Sequence, residues 1–320
     1  MHRVLGPESF EGLTRDLHSE RKVFDRLATS AASPSPVPKL HSPGVRATVP
    51  MVVIQPSKRF FNLDLRPIWE YRELLYFLVW RDIKVRYKQT IIGAAWAICQ
   101  PLLTMMIFAV IFGRFAKIPS DGIPYPIFAF AGLLPWTYFS QSISRSGISL
   151  VTDSNLIRKI YFPRMIIPAA SVIAPVVDFA LSFLILLVMM AWYRVVPGRA
   201  VVMLPLFVLL AIVAALGVSL WLSALNVRYR DVGHAIPFLV QFWMYASPIV
   251  YPLSLIPQRW RALYSLNPMV GVAEGFRWGL LGKQSLGFDS IAIGASVALF
   301  LLLSGLVFFK RMERVFADIV

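Results

Sequence analysis

The chain has 320 residues, 57% of them apolar and only 15% charged, with a mean hydropathy of +0.65. That balance excludes a water-soluble globular domain and points to a polytopic membrane protein, each helix needing about 20 apolar residues to cross a hydrocarbon core about 30 Å thick. The net charge of +15 raises nucleic-acid binding, but the cations sit between apolar runs, which is a topology signal and an attraction to anionic headgroups.

Residues 1–57 contain no apolar core of the kind a cleavable signal needs. They hold three of the four histidines (His2, His18, His41) and a proline-rich segment with Pro34, Pro36, Pro38, Pro43, Pro50 and Pro56. The composition reads as a flexible cytoplasmic extension. Residues 58–90 follow as an amphipathic segment. Within RPIWEYRELLYFLVWRDIKVRYK (66–88) the uninterrupted apolar core is LLYFLVW, too short to span. On a helix Trp69, Tyr76, Trp80, Ile83 and Tyr87 share one arc, with Arg81, Lys84, Arg86 and Lys88 around them, which predicts an interfacial helix with aromatics at headgroup depth. A juxtamembrane helix packed on the bundle is the alternative.

Six apolar runs follow, at 93–112, 126–144, 166–192, 201–225, 235–252 and 290–309. They predict an all-α bundle of six transmembrane helices over residues 91–315, with 316–320 as a cytoplasmic tail. Pro101, Pro135 and Pro175 fall inside runs, where neighbouring helices must satisfy the freed carbonyls. Pro237 and Pro248 flank the fifth and shortest run. With both termini cytoplasmic, 17 Lys and Arg lie in inner segments and 8 in outer ones. This favours that orientation, although the last outer segment, with Arg259, Arg261, Arg277 and Lys283, is more basic than the rule expects. The lone Cys99 excludes an intrachain disulfide.

The loop at 149–165, SLVTDSNLIRKIYFPR and the next residue, offers Asp153 or Ser154 as a helix cap, a short helix through about Tyr161, and Pro163 as its stop. Held between two spans, such a helix suits a lever for another protein; a solvated loop is the plainer reading. Near the other face, 268–281 is an apolar helix that can dip into the bilayer but not cross it. Glu274 and Arg277 sit at i and i+3, a spacing that suits a local ion pair.

No pattern supports catalysis. Asp178 is the single acid well inside a run, no metal-ligand spacing appears, and no nucleophile has a base. A lone intramembrane acid predicts an interhelical hydrogen bond, with a proton relay as the alternative. A phosphate-cradling loop is also missing: GLLGKQS at 279–285 lacks the first glycine and has Gln284 after the lysine. The chain therefore needs no cofactor of its own, and ATP-driven transport would require Mg-ATP on a separate subunit.

The strings VWRDIKVRYKQTIIGAAWAICQPLLTMMIFAVIFGR (79–114), AGLLPWTYFSQSI (131–143), RKIYFPRMIIP (158–168), NVRYRDVGHAIPFLVQFWMYASPIVYP (226–252) and LNPMVGVAEGFRW (266–278) resemble type-2 ABC transporter permeases that export O-antigen, capsule and teichoic acid polysaccharides. The resemblance spans roughly residues 60–315. It implies a six-span half-transporter in a bacterial inner membrane that forms a homodimer, is driven by two copies of a separate ATP-binding subunit, and moves a glycan linked to undecaprenyl pyrophosphate outward. Carried over by motif, 66–88 becomes the interface helix at the access portal, with Trp80, Arg81, Lys84, Arg86, Tyr87 and Lys88 available to a pyrophosphate head. The loop 149–165 becomes the coupling helix, with Asp153, Ser154, Asn155, Leu156, Arg158, Lys159, Tyr161 and Phe162 facing the ATPase. Residues 253–288 become the outer gate, centred on Asn267, Pro268, Glu274, Arg277 and Trp278. The loop with Arg228, Arg230 and Asp231 becomes a second cytoplasmic contact or an intrachain clamp, the clamp being favoured. Trp96, Phe108, Phe112 and Trp136 are candidates to line a glycan channel, as are Tyr138, Phe139, Trp243 and Tyr245, because sugar C–H faces slide over aromatic rings. The same aromatics also suit ordinary packing. An ATP-independent lipid-linked glycan flippase and an integral membrane glycosyltransferase or ligase are the competing classes.

Overall fold

The computed structural model describes residues 69–88, 91–282 and 287–319, and all regular structure among them is helical. The extension 1–57 and the start of the amphipathic segment lie outside the described residues. Four stretches are long and apolar enough to cross a bilayer: Ile98–Phe115, Ile166–Trp192, Arg199–Arg228 and Phe288–Glu313. They coincide with the first, third, fourth and sixth apolar runs.

Helix α1 (Arg72–Lys88) is the amphipathic segment. Helix α2 (Ile91–Phe108) loosens into a π-helical stretch, Ala109–Phe115, to complete the first span. Helix α3 (Tyr125–Thr152, 28 residues) runs eight residues past the end set by its apolar run. At 1.5 Å per residue it is about 42 Å long. It is the central helix, touching α2 and most of the later helices. Its serines and glycines lower its hydropathy because its surroundings are protein rather than lipid. Helix α4 (Ser154–Lys159) is a single short turn of helix.

The third span is two helices, α5 (Ile166–Ile173) and α6 (Val176–Trp192), broken at Pro175. Proline has no N–H to continue the ladder, so carbonyls of the preceding turn need other donors. Helix α3 supplies them. The Tyr138 hydroxyl donates to the Val172 carbonyl at 3.1 Å, Ser142 reaches the same oxygen at 3.4 Å, and Ser146 donates to Pro168 at 3.2 Å.

Helix α7 (Leu204–Arg228), entered through a 3₁₀ turn at Arg199–Met203, packs along the last helix, α11 (Phe288–Ile319). Helix α11 runs on to Ile319, into the segment assigned to the tail. The two meet at Gly217 and Gly305. A Cβ on Gly217 would stand 2.7 Å from the Leu302 nitrogen and 2.8 Å from the Leu301 carbonyl carbon, and a helix backbone cannot yield as a side-chain tip can. Gly217→Ala is therefore expected to destabilise by about 1–3 kcal/mol through overpacking. Gly198→Ala, whose Cβ would meet nothing closer than 3.8 Å, is expected to be mild. Melting of the two variants in detergent checks the contrast.

The fifth run departs from expectation. Helix α8 (Asp231–Tyr245) ends before Pro248, and Ala246–Val250 is a series of turns, so 235–252 is not one continuous helix. At 15 residues α8 is only about 22 Å long. A 3₁₀ turn (Leu253–Leu255), α9 (Gln258–Tyr264) and α10 (Pro268–Leu281) follow, α10 closing on Gly282 in the left-handed region at φ 65°. The turn after α8 sits by the start of α3, where the Tyr125 hydroxyl donates to the Val250 carbonyl at 2.6 Å. Helices α1 and α4 gather at the other end of α3 around a second small core of Leu78, Leu150, Phe162, Met165 and Phe309.

Candidate coupling and gate sites

Helix α1 is anchored through Leu78, 2% exposed, with Leu74, Leu75 and Val79 beside it. Trp69, Tyr76 and Trp80 point outward, as an interfacial helix requires. Its C-terminal half is tied down by charge. Arg81 grips Asp153 with both terminal nitrogens, at 2.9 and 3.1 Å, and holds Asp82 at 2.8 Å. Arg86 pairs with Asp178 of α6 and donates to Gln141 of α3 at 3.1 Å, and Tyr87 donates to Asp178. Burial pulls the Arg81 guanidinium down, but the hydrogen bonds and charges of Asp153 and Asp82 outweigh it and the net shift is upward.

Of the cations assigned to a pyrophosphate head, Arg81 and Arg86 are bound to carboxylates of this chain, and Tyr87 is likewise engaged. Lys84, Lys88 and Trp80 are exposed. Asp178 has the interhelical partners expected of a lone intramembrane acid, and they come from α1. Sequence reasoning missed Asp82, Gln141 and Arg145 in this cluster. The signal was present: Asp82 and Asp153 are isolated acids in strongly basic segments, and Gln141 and Arg145 stand one helical turn apart at the end of α3.

The coupling segment is shorter than expected. Helix α4 stops at Lys159, and Ile160 is extended at φ −132°. Asp153 occupies the N-cap position but makes no capping bond with its side chain, because its carboxylate faces Arg81. Asn155, Arg158, Lys159 and Tyr161 face outward, Tyr161 at 79% exposure. Phe162 is buried, Leu156 packs against the second core, and Ser154 is half-buried. A cleft of about 280 Å³ opens along Arg158, Lys159 and Tyr161. Arg164 fixes the following turn to α11: its backbone N–H donates to a Glu313 carboxylate oxygen and its guanidinium to the Glu313 carbonyl, each at 3.1 Å. The α7–α8 loop is clamped, but by Asn226, whose side-chain oxygen accepts from the Gly233 N–H at 2.8 Å. Arg228, Arg230 and Asp231 are exposed instead.

At the other end, Arg277 is fully buried in α10. It donates to the carbonyls of Pro248 and Ile249 at 2.6 Å each, to those of Tyr251 and Phe128 at 3.4 Å, and to Glu274 at 3.2 Å, and it lies over the Phe128 ring at 3.8 Å. Non-helical backbone at bilayer depth survives only where protein satisfies it, and here Arg277 satisfies the turn after α8. Asn267 does the same for the end of α8. Its oxygen caps Met269 N–H and accepts from the Trp243 indole, both at 3.0 Å, while its amide donates to Ala246 and Ser247 at 3.1 and 2.8 Å. Pro268 opens α10 next to this cap, and Trp278 is half-buried.

The aromatic set divides by burial. Phe108, Trp136, Tyr138 and Phe139 lie in the core of a single chain. Tyr138 is committed to Val172, and Phe139 meets Trp136 at 5.6 Å and Trp243 edge-on at 5.1 Å. Phe112 and Trp243 are half-buried, leaving Trp96 and Tyr245 as the two exposed members, at 57% and 55%.

A bundle with a broken third span, a buried arginine in a short helix at one end of α3 and a small braced helix at the other suits a transporter's membrane subunit. The model of the ABC-2 type transporter family matches residues 73–281, and the chain belongs to that family. It is an integral membrane subunit of a transporter rather than an enzyme. It is similar to the O-antigen export system permease protein RfbA of Myxococcus xanthus, with 32% identity over 258 residues covering 79% of this chain and 98% of that protein. It is also similar to a protein of the same name in Klebsiella pneumoniae, with 29% identity over 249 residues and 78% and 95% coverage. The polysialic acid transport protein KpsM of Escherichia coli is 25% identical over 242 residues, with 73% and 91% coverage.

Proposed function

We propose that the chain is the permease of an ATP-driven exporter that moves a lipid-linked polysaccharide, an O-antigen-like glycan on undecaprenyl pyrophosphate, across a bacterial inner membrane. Two copies form the membrane unit, and two copies of a separate ATP-binding subunit supply Mg-ATP hydrolysis. Both termini are cytoplasmic, with α3 and α8 completing six crossings inside a shell of more apolar helices. Lys84 and Lys88 are the cations left to meet a phosphate head, and Trp96 and Tyr245 the rings left to meet sugar.

The observation that carries this reading is the mounting of α4. A helix this short has no stability of its own, yet it is braced by Arg81, by the Leu156 and Phe162 contacts and by Arg164–Glu313. It presents Arg158, Lys159 and Tyr161 outward. A flippase without an ATPase has no use for such a platform, and a glycosyltransferase needs an acid or metal site; no group of three potential metal ligands occurs among the described residues.

The test is co-purification of the tagged chain from its native host after gentle extraction. An ABC ATPase in equal amount is expected with the wild type, falling at least tenfold when Arg158, Lys159 and Tyr161 become alanine, with the permease itself still monodisperse. A wild-type chain that carries no ATPase, and supports surface glycan when candidate ATPase genes are removed, would transfer the case to the flippase.

A further inference from the structure

Helix α1 is attached to the rest of the chain at two places of different character. One attachment is Arg86 and Tyr87 on Asp178, where the carboxylate side chain is 6% exposed and belongs to the wall of the bundle. The other is Arg81 on Asp153, with side chains 33% and 20% exposed, on the turn that opens α4. A buried pair is a permanent fixture, whereas a partly hydrated pair exchanges partners at little cost. Five residues of helix, about 7.5 Å, separate a fixed pivot from a working joint.

We propose that Arg81 is the positioning residue that carries movement of α4 into α1, so that the stroke delivered at the coupling loop swings the helix flanking the proposed lipid portal. This rests on the reading of α4 as the ATPase platform. Three observations support the link. The Arg81–Asp153 contact is bidentate, which transmits orientation as well as distance. Asp153 stands where a carboxylate normally caps the backbone amides of the helix it starts, and it forgoes that role to face α1. The apolar side of the joint is shared too, since Leu78 of α1 and Leu156 and Ile157 of α4 belong to one small core. A displacement of α4 therefore reaches α1 through Arg81, the polar contact, together with Leu78. Asp82 accepts from the Nε and Nη2 atoms of the same guanidinium at 3.0 and 2.8 Å and holds it directed at the joint.

The test uses the full chain with its ATPase subunit, in vesicles of phosphatidylethanolamine and phosphatidylglycerol for hydrolysis and in the native host for surface glycan. Arg81→Asp and Asp153→Arg are each expected to keep the ATPase bound and hydrolysing, and to lower surface glycan per unit of hydrolysis at least tenfold. The double reversal is expected to bring that ratio within threefold of wild type. Should a reversal fail to fold, Arg81→Lys and Asp153→Asn carry the test: at unchanged melting temperature the ratio falls at least threefold. Single variants that export at the wild-type ratio overturn the link. So do a double variant no better than the singles, and singles that shed the ATPase, which would make the pair a docking element. A wild type that binds no ATPase instead sinks the proposed function, and is seen before any variant is made.

Discussion

Arg277→Met is expected to leave almost no folded permease in the membrane. The substitution keeps an unbranched apolar stem that reaches as far as the Nε position, so what it removes is the donor fork of the guanidinium. Four backbone carbonyls, those of Phe128, Pro248, Ile249 and Tyr251, lose a donor, and Glu274 becomes an unpaired carboxylate in α10. Removing one partner of a buried ion pair costs about 3–5 kcal/mol, a large part of the stability of an ordinary domain. The orphaned carbonyls of Phe128, Pro248 and Ile249, all in buried residues, add to this. Arg277→Lys is expected to be intermediate at best, since an ammonium offers three donors on a flexible stem and cannot reproduce a planar fork. Glu274→Gln combined with Arg277→Met relieves the lone charge and should recover part of the loss. Gly132→Ala provides an independent check, because its Cβ would sit 2.6 Å from the Arg277 Nη2 atom. Fluorescence-detected gel filtration and melting of the four variants measure the order. An Arg277→Met protein with wild-type melting would show that other donors satisfy the turn.

The same residue explains an anomaly in the charge distribution. Counted as an outer segment, 253–288 is more basic than the positive-inside rule expects, yet Arg277 is spent on backbone carbonyls, and Arg261 donates to those of Ile256 and Ser254 at 2.9 and 3.4 Å. A topology rule counts cations as if they met headgroups, and it cannot distinguish one that is stapling a broken backbone. What the sequence made legible were features with a local cause: four of the six apolar runs became helices long enough to cross, and 268–281 was too short. Pro248 also marked the place where α8 could not continue, although the apolar run read straight through it. Illegible were the partners. Arg81 and Asp153 are 72 positions apart, Arg86 and Asp178 92, and no periodicity within a helix announces a pairing between helices. The aromatics were ambiguous for a related reason. Hydropathy and ring type do not say whether Trp136 or Phe139 faces a channel or the next helix, and only the packing of α3 at the centre of the bundle decides it.

Asp178→Ala is the second substitution expected to have a large effect. It leaves the Arg86 guanidinium without its carboxylate beside α6 and takes the acceptor from Tyr87, so the C-terminal end of α1 is released while Leu78 still holds the middle. The expected loss is about 3–5 kcal/mol, again the cost of an uncompensated buried charge rather than the net worth of the pair. The informative variant is the apolar pair Asp178→Leu with Arg86→Met. Replacing both members of a buried ion pair by packed hydrophobic side chains is often neutral or stabilising, so its melting temperature is expected to match or exceed that of the wild type. Export by this double variant then separates two roles for an intramembrane acid. A carboxylate that relays protons cannot be replaced by leucine, and a stable double variant that exports nothing would identify Asp178 as such a relay. A carboxylate that only fixes the pivot of α1 can be replaced, and the geometry, with both of its donors drawn from one helix, predicts that the double variant exports.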